Sequence, residues 1–170
     1  MAIVRKDKLL AGYNGNLESV KIYNNAGTAT VESTNGVFVV VEGLLAGERE
    51  TKKARLAGAT DSTKDVLFIH NSEVMYDERL HKLKDFRIKA DKVARAYRLY
   101  DGDIITLTTD LFSGAVAVGD QLLVKSNGLI GKPATAGDVN TAKVVFTVIE
   151  DAGYELDPTM GAFAVQVSRP

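Results

Sequence analysis

From residue 28 onward, the apolar positions fall into short runs of β-branched and aromatic residues broken by Gly, Asn and Asp. Such a rhythm predicts strands and tight turns, because an amphipathic helix repeats its apolar positions every three or four residues instead. Residues 28–32 and 37–42 flank Asn35-Gly36 and predict a hairpin, since Asn-Gly accepts the positive φ of a two-residue turn. Residues 43–65 are looser, with one short strand at 52–56, and 65–70 make the next clear strand. Over residues 73–85 the period changes. Tyr76, Leu80 and Leu83 fall at i, i+4 and i+7 behind Ser72 as N-cap, which predicts one short helix.

Residues 86–170 predict a compact antiparallel β-barrel or sandwich. Strands at 86–89 and 93–100 lead into a repeated device, Gly102-Asp103 before 104–108 and Gly119-Asp120 before 121–125. Ser126-Asn127-Gly128 turns into Leu129-Ile130, and strands 143–149 and 162–167 are joined by a loop holding Gly153, Asp157-Pro158 and Gly161. Residues 1–26 are dense in Asn and Gly, and Leu9, Leu10, Tyr13, Leu17 and Tyr23 are spaced too irregularly for a helix. They predict an extended N-terminal arm that is ordered against a partner. A first strand plus loop of the same domain is the other reading. The fold expected is therefore mainly β: an antiparallel small barrel or sandwich with an extended N-terminal arm and at most one short helix. Its segments are an arm over 1–26, a β-rich stretch with the helix over 27–85, and the compact unit over 86–170.

Composition narrows the function classes. With 45% apolar residues in 170, the chain can bury a core, and the absence of cysteine excludes disulfides, thiolate metal sites and a cysteine nucleophile. The longest apolar run, residues 37–41, is far below the ~20 residues of a membrane helix. No apolar stretch of signal-peptide length follows Arg5 and Lys6, so synthesis in the cytoplasm and no membrane partner are expected. Net charge is −1, but residues 1–100 carry 17 basic and 13 acidic side chains, against 4 and 9 in residues 101–170. Opposite charge in the two halves suits patch-to-patch contact between proteins more than binding to a polyanion.

Catalytic chemistry finds little support. The two histidines, His70 and His81, have neither a nucleophile elbow nor metal-ligand spacing, and the Gly43–Gly47 stretch lacks the Gly-Lys-Ser/Thr of a phosphate loop. Asp101 and Asp103 belong to a Gly turn, where Asp caps backbone, and Glu150/Asp151 stand without a further partner. No enzyme, catalytic residue, metal site or cofactor is expected. One charged stretch stands out: Arg79, Lys82, Lys84, Arg87, Lys89, Lys92, Arg95 and Arg98, with Phe86 and Tyr97 among them. Basic and aromatic residues together could serve a nucleic acid. A patch facing acidic protein is the preferred reading, because the second half supplies the matching charge.

The run Lys92-Val-Ala-Arg-Ala-Tyr-Arg-Leu-Tyr-Asp-Gly-Asp-Ile-Ile-Thr-Leu-Thr-Thr-Asp-Leu-Phe112 and the run Val118-Gly-Asp-Gln-Leu-Leu-Val124, with the β-rich end from Phe146 to Val167, resemble the capsid decoration, or cement, proteins of tailed bacteriophages. The likeness is one of style over residues 86–170. It implies a non-enzymatic virion protein on the capsid surface that bridges capsid subunits and stabilises the assembled shell. The implied partners are the major capsid protein and neighbouring copies in a dimer or trimer. Leu9, Leu10, Tyr13, Leu17 and Tyr23 would then form the docking arm, and the basic stretch an interface patch. A small-barrel nucleic-acid binder, or another virion part such as a head fibre base or tail protein, is the alternative.

Overall fold

The computed structural model describes residues 3–8, 16–74 and 82–170, with backbone alone for residues 5–8. Among the described residues there are eleven strands: β1 (Val4–Lys8), β2 (Leu17–Tyr23), β3 (Phe38–Leu44), β4 (Thr51–Leu56), β5 (Leu67–Ile69), β6 (Ala94–Tyr97), β7 (Ile104–Thr108), β8 (Gln121–Val124), β9 (Ile130–Gly131), β10 (Val145–Asp157) and β11 (Met160–Ser168). The one α-helix among the described residues, α1 (Asp138–Thr141), is a single turn. The protein is thus mainly β.

The strands form two sheets. β2, β4, β3, β5 and β6 close a five-stranded barrel, and the other six make an open antiparallel sheet in the order β1-β7-β11-β10-β8-β9. Barrel closure needs β2 against β6 on one side, Leu17 opposite Tyr97, and parallel β4 on the other, Tyr23 opposite Arg55. Ala54, Ala94 and Ala96 are fully buried beside Val20, Val39 and Phe68. Small residues facing large ones suit the narrow interior of a small barrel.

Several expectations are corrected here. The arm over 1–26 contains two sheet strands: β1 edges the open sheet, and β2 is a barrel stave whose Val20 and Ile22 point inward. Asn24 and Asn25 follow its end, and a two-residue inward alternation was too short to read as a period. The closed barrel is built from residues 17–97, and the stretch after β6 supplies five of the six strands of the open sheet. Asn35-Gly36 does not join two paired strands. Asn35 is buried and clamps Asn71, accepting from its N–H at 2.8 Å and donating to its carbonyl at 2.9 Å, while β3 pairs with β4 and β5. Residues 28–32 and 86–89 contribute only isolated bridges, Tyr23 to Thr30 and Ser33 to Ile88. Gly153 lies within β10, not in a loop. Of the helix expected over 73–85, residues 75–81 lie outside the described residues, and Leu83–Asp85 form a 3-10 turn.

The Gly-Asp devices do lead into strands, β7 and β8. Gly102 and Gly119 take φ of +85° and +91°, and each following carboxylate accepts the N–H three residues back: Tyr100 to Asp103 at 2.8 Å, Ala117 to Asp120 at 2.7 Å. The two turns also dock alike on the β10–β11 hairpin. Gly102 donates to the Val167 carbonyl and Val167 to that of Asp103; Gly119 donates to the Val148 carbonyl and Val148 to that of Asp120.

Barrel and sheet share one core, joined at Phe38. Its ring lies 5.6 Å from Phe68 inside the barrel and 4.7 Å from Phe146 in the open sheet. Two glycines permit the approach. A Cβ on Gly128 would stand 2.5 Å from the Phe38 carbonyl oxygen, and one on Gly36 would stand 2.3 Å from Leu111 Cδ1; both residues also have positive φ. Ion pairs fasten the other side, where Asp65 of the barrel meets Arg98 at 2.8 Å and Arg169, just past β11, at 2.9 Å.

Urea denaturation followed by far-UV circular dichroism tests this shared core. Phe38→Ala is expected to cost about 3–5 kcal/mol, and Gly128→Ala about 1–3 kcal/mol. Losses under about 1 kcal/mol at both positions would mean that the two sheets do not support each other.

Candidate functional site

The basic stretch does not form a single face. Arg79 and His81 lie outside the described residues. Lys82 and Lys84 are turned to the tip of the β10–β11 hairpin, where Lys84 Nζ donates to Thr159 Oγ1 at 3.2 Å. The Asp157 carboxyl there titrates below its ordinary value, held down by hydrogen bonds from Thr159 and then by these two lysines. Arg87 donates to the carbonyls of Phe86 at 2.8 Å and Lys84 at 3.4 Å, and stands 4.0 Å from Glu32. Arg98 is paired with Asp65 and, at 3.5 Å, with Glu18. Lys82, Lys89, Lys92 and Arg95 are exposed.

The aromatics expected beside these cations are not offered to a ligand. Tyr97 is 7% exposed, and Phe86 packs against the shared core. A stacking platform needs a free ring face, so this geometry disfavours single-stranded nucleic acid at that place. Of the docking residues proposed for the arm, Leu9, Leu10 and Tyr13 lie outside the described residues. Leu17 packs against the core, and Tyr23 carries the Lys53 ammonium 5.1 Å from its ring centroid. Strand β2 therefore commits both to the barrel.

His70 ends β5, with its ring 6.3 Å from that of Phe68 and its N–H on the Arg95 carbonyl at 3.1 Å. Among the described residues no group of three His, Asp or Glu side chains converges as a metal site would require.

A charged node that sequence reasoning missed lies at the end of β4. Asp61 is 2% exposed and receives Arg55 on both oxygens, at 2.7 and 2.8 Å, with Lys64 at 2.9 Å and the Gly58 N–H at 2.8 Å. The Arg55 hydrogen bonds hold its carboxyl well below the usual carboxylate range, outweighing burial. Arg55 also meets Glu42 at 3.1 Å. The node borders a cleft of about 440 Å³ between Tyr23, Glu32 and Asn127, and a second of about 300 Å³ reaches Arg87 and Asp110. Every oxygen of Asp61 is engaged, so the node acts as a clamp on the barrel rim. Only the i, i+3 spacing of Asp61 and Lys64 was visible beforehand.

Exposed apolar and charged surface is found elsewhere. Along β10, Ile149, Glu150, Asp151 and Tyr154 are exposed, with Val118 beside Ile149 through the Gly119–Val148 hydrogen bond; Asp151 also accepts the Gly153 N–H at 2.9 Å. On the barrel, Val93 is exposed between Lys92 and Arg95. Neither cluster has any signal in local sequence beyond the pairing of charge with large apolar residues.

Acid titration tests the clamp. A carboxyl lowered by folding stabilises the fold fully above its unfolded value of ~4, and that contribution disappears as pH falls toward the folded value. Asp61→Asn is expected to cost about 3 kcal/mol near neutrality by leaving Arg55 short of its partner. The gap to the unsubstituted protein should narrow as pH drops below about 4. A gap that stays constant with pH would rule out a charged Asp61.

Compared with protein families, curated proteins and solved structures, the chain matched no family model, no curated protein and no solved structure.

Proposed function

We propose that this chain is a non-enzymatic structural protein of a virion, which binds the assembled capsid of a tailed bacteriophage and stabilises it by bridging neighbouring subunits. The observation that carries this reading is the outer edge of β10. Beyond Val148 no strand pairs with that side among the described residues, and Ile149 and Tyr154 stand 38% and 69% exposed beside Glu150 and Asp151. An open strand edge with large apolar side chains favours protein contact, and is a liability for a protein that works alone. The two-sheet body behind it shares one large core, which suits a part that bears load. On a lattice, many modest contacts of this kind act together, so occupancy exceeds what one contact gives.

A nucleic-acid reading retains one observation, the exposed Lys89, Lys92 and Arg95. Phosphate contacts release counterions and weaken steeply with salt, whereas apolar docking does not.

Co-sedimentation with empty capsids, and separately with duplex and single-stranded DNA, at low and high salt, distinguishes the two. Saturable capsid binding that survives high salt is expected, and Tyr154→Ala should weaken it about tenfold or more while leaving thermal stability in place. Binding to DNA alone, lost at high salt, would overturn the capsid reading.

A further inference from the structure

Two exposed clusters of opposite sign, each with an exposed apolar residue, lie on strand edges of the molecule. The first is the β10 edge. Between Val148, which faces Val165, and Glu150, which faces Ala164, the register shifts by one residue and Ile149 is the extra one. A bulge of this kind sharpens the local twist and re-aims side chains. Here Ile149 is 38% exposed, next to exposed Glu150 and Asp151. The second cluster opens β6, where Lys92 and Arg95 are exposed and Val93 between them is 43% exposed. Asn71 pins it, accepting from the Arg95 N–H at 2.7 Å and donating to the Val93 carbonyl at 3.3 Å.

We infer that the acidic edge of one copy docks on the basic strip of a second copy, in a head-to-tail contact. Each cluster joins two like charges to an exposed apolar residue, and the charges of the two clusters are opposite. Pairing an edge with its own symmetry mate would bring Glu150 and Asp151 against Glu150 and Asp151, which repel. Acidic edge against basic strip removes that repulsion and covers Ile149 and Val93 together. Lys82 and Lys84 of the same chain face Asp157 at the hairpin tip, so they do not supply this contact. Because the two surfaces differ, the contact is heterologous: it closes into a ring or extends as a chain of copies. This inference rests on reading the β10 edge as a docking surface, but not on the nature of the shell.

Sedimentation velocity of the whole chain tests it, from about 0.01 to about 0.5 mM, at ~50 and ~500 mM NaCl. The sedimentation coefficient is expected to rise with concentration, with association about tenfold weaker at the higher salt. Glu150→Lys with Asp151→Lys should leave monomers, and so should Lys92→Glu with Arg95→Glu. All four residues are exposed, and unchanged circular dichroism will show that the variants fold. Mixing the two variants should restore association, as should all four changes in one chain, because each arrangement again sets acid against base. A monomer throughout, or a fourfold variant that stays monomeric while the parent associates, would overturn the inference. Capsid co-sedimentation of the same proteins separates this claim from the capsid reading. Shell binding by a strictly monomeric chain removes only the head-to-tail contact, and self-association without shell binding removes only the capsid role.

Discussion

Phe38 has to serve two sheets at once, and most of the architecture follows from that. Its backbone pairs with Phe68 in the barrel, while its ring packs on Phe146 of the open sheet. Close-packed interiors leave no room for a second layer of side chains at such a junction. The chain therefore crosses it with backbone: the Gly128 N–H donates to the Ala57 carbonyl at 2.8 Å, and Gly36 lies under Leu111 and Val4. The open sheet is thus fixed by the barrel, although the strands that form it are mostly later in sequence.

Charge follows the same logic of local commitment. Asp61, Asp85, Asp103, Asp120 and Asp138 each accept the N–H three residues back, closing a turn. Asp is favoured there because its short carboxylate reaches the neighbouring backbone. Most of the acidity in the second half of the chain is therefore spread among turns. Likewise Lys84, Arg87 and Arg98 meet hydroxyls, carbonyls or carboxylates of their own chain. Among the exposed charges, the β10 edge and the start of β6 each set two like charges beside an exposed apolar residue.

Those clusters shape the functional reading. Sites for chemistry gather buried, strained or titration-shifted groups around a cleft. Here the strongly shifted buried carboxyl, Asp61, has its oxygens saturated by its own neighbours. The groups left over are apolar and charged side chains on strand edges, which are elements of protein contact. Rigidity behind such an edge limits the entropy lost when it docks.

Local sequence determined the strand-rich class, the Gly-Asp turns into β7 and β8, and the strands expected at 52–56, 65–70 and 93–100, which the structure places at Thr51–Leu56, Leu67–Ile69 and Ala94–Tyr97, because turn chemistry and period-2 patterning act over a few residues. It also marked the basic stretch as unusual. Only the tertiary structure decided that β2 pairs with β6, that Asn35-Gly36 clamps β5 in place of turning a hairpin, and that Tyr97 is buried while Arg95 is not. Pairing between Leu17 and Tyr97 depends on which distant backbone groups remain to be satisfied, and no local pattern carries that information. The same holds for the site. Which lysines and carboxylates stay free is settled only after every turn, clamp and junction has taken its share.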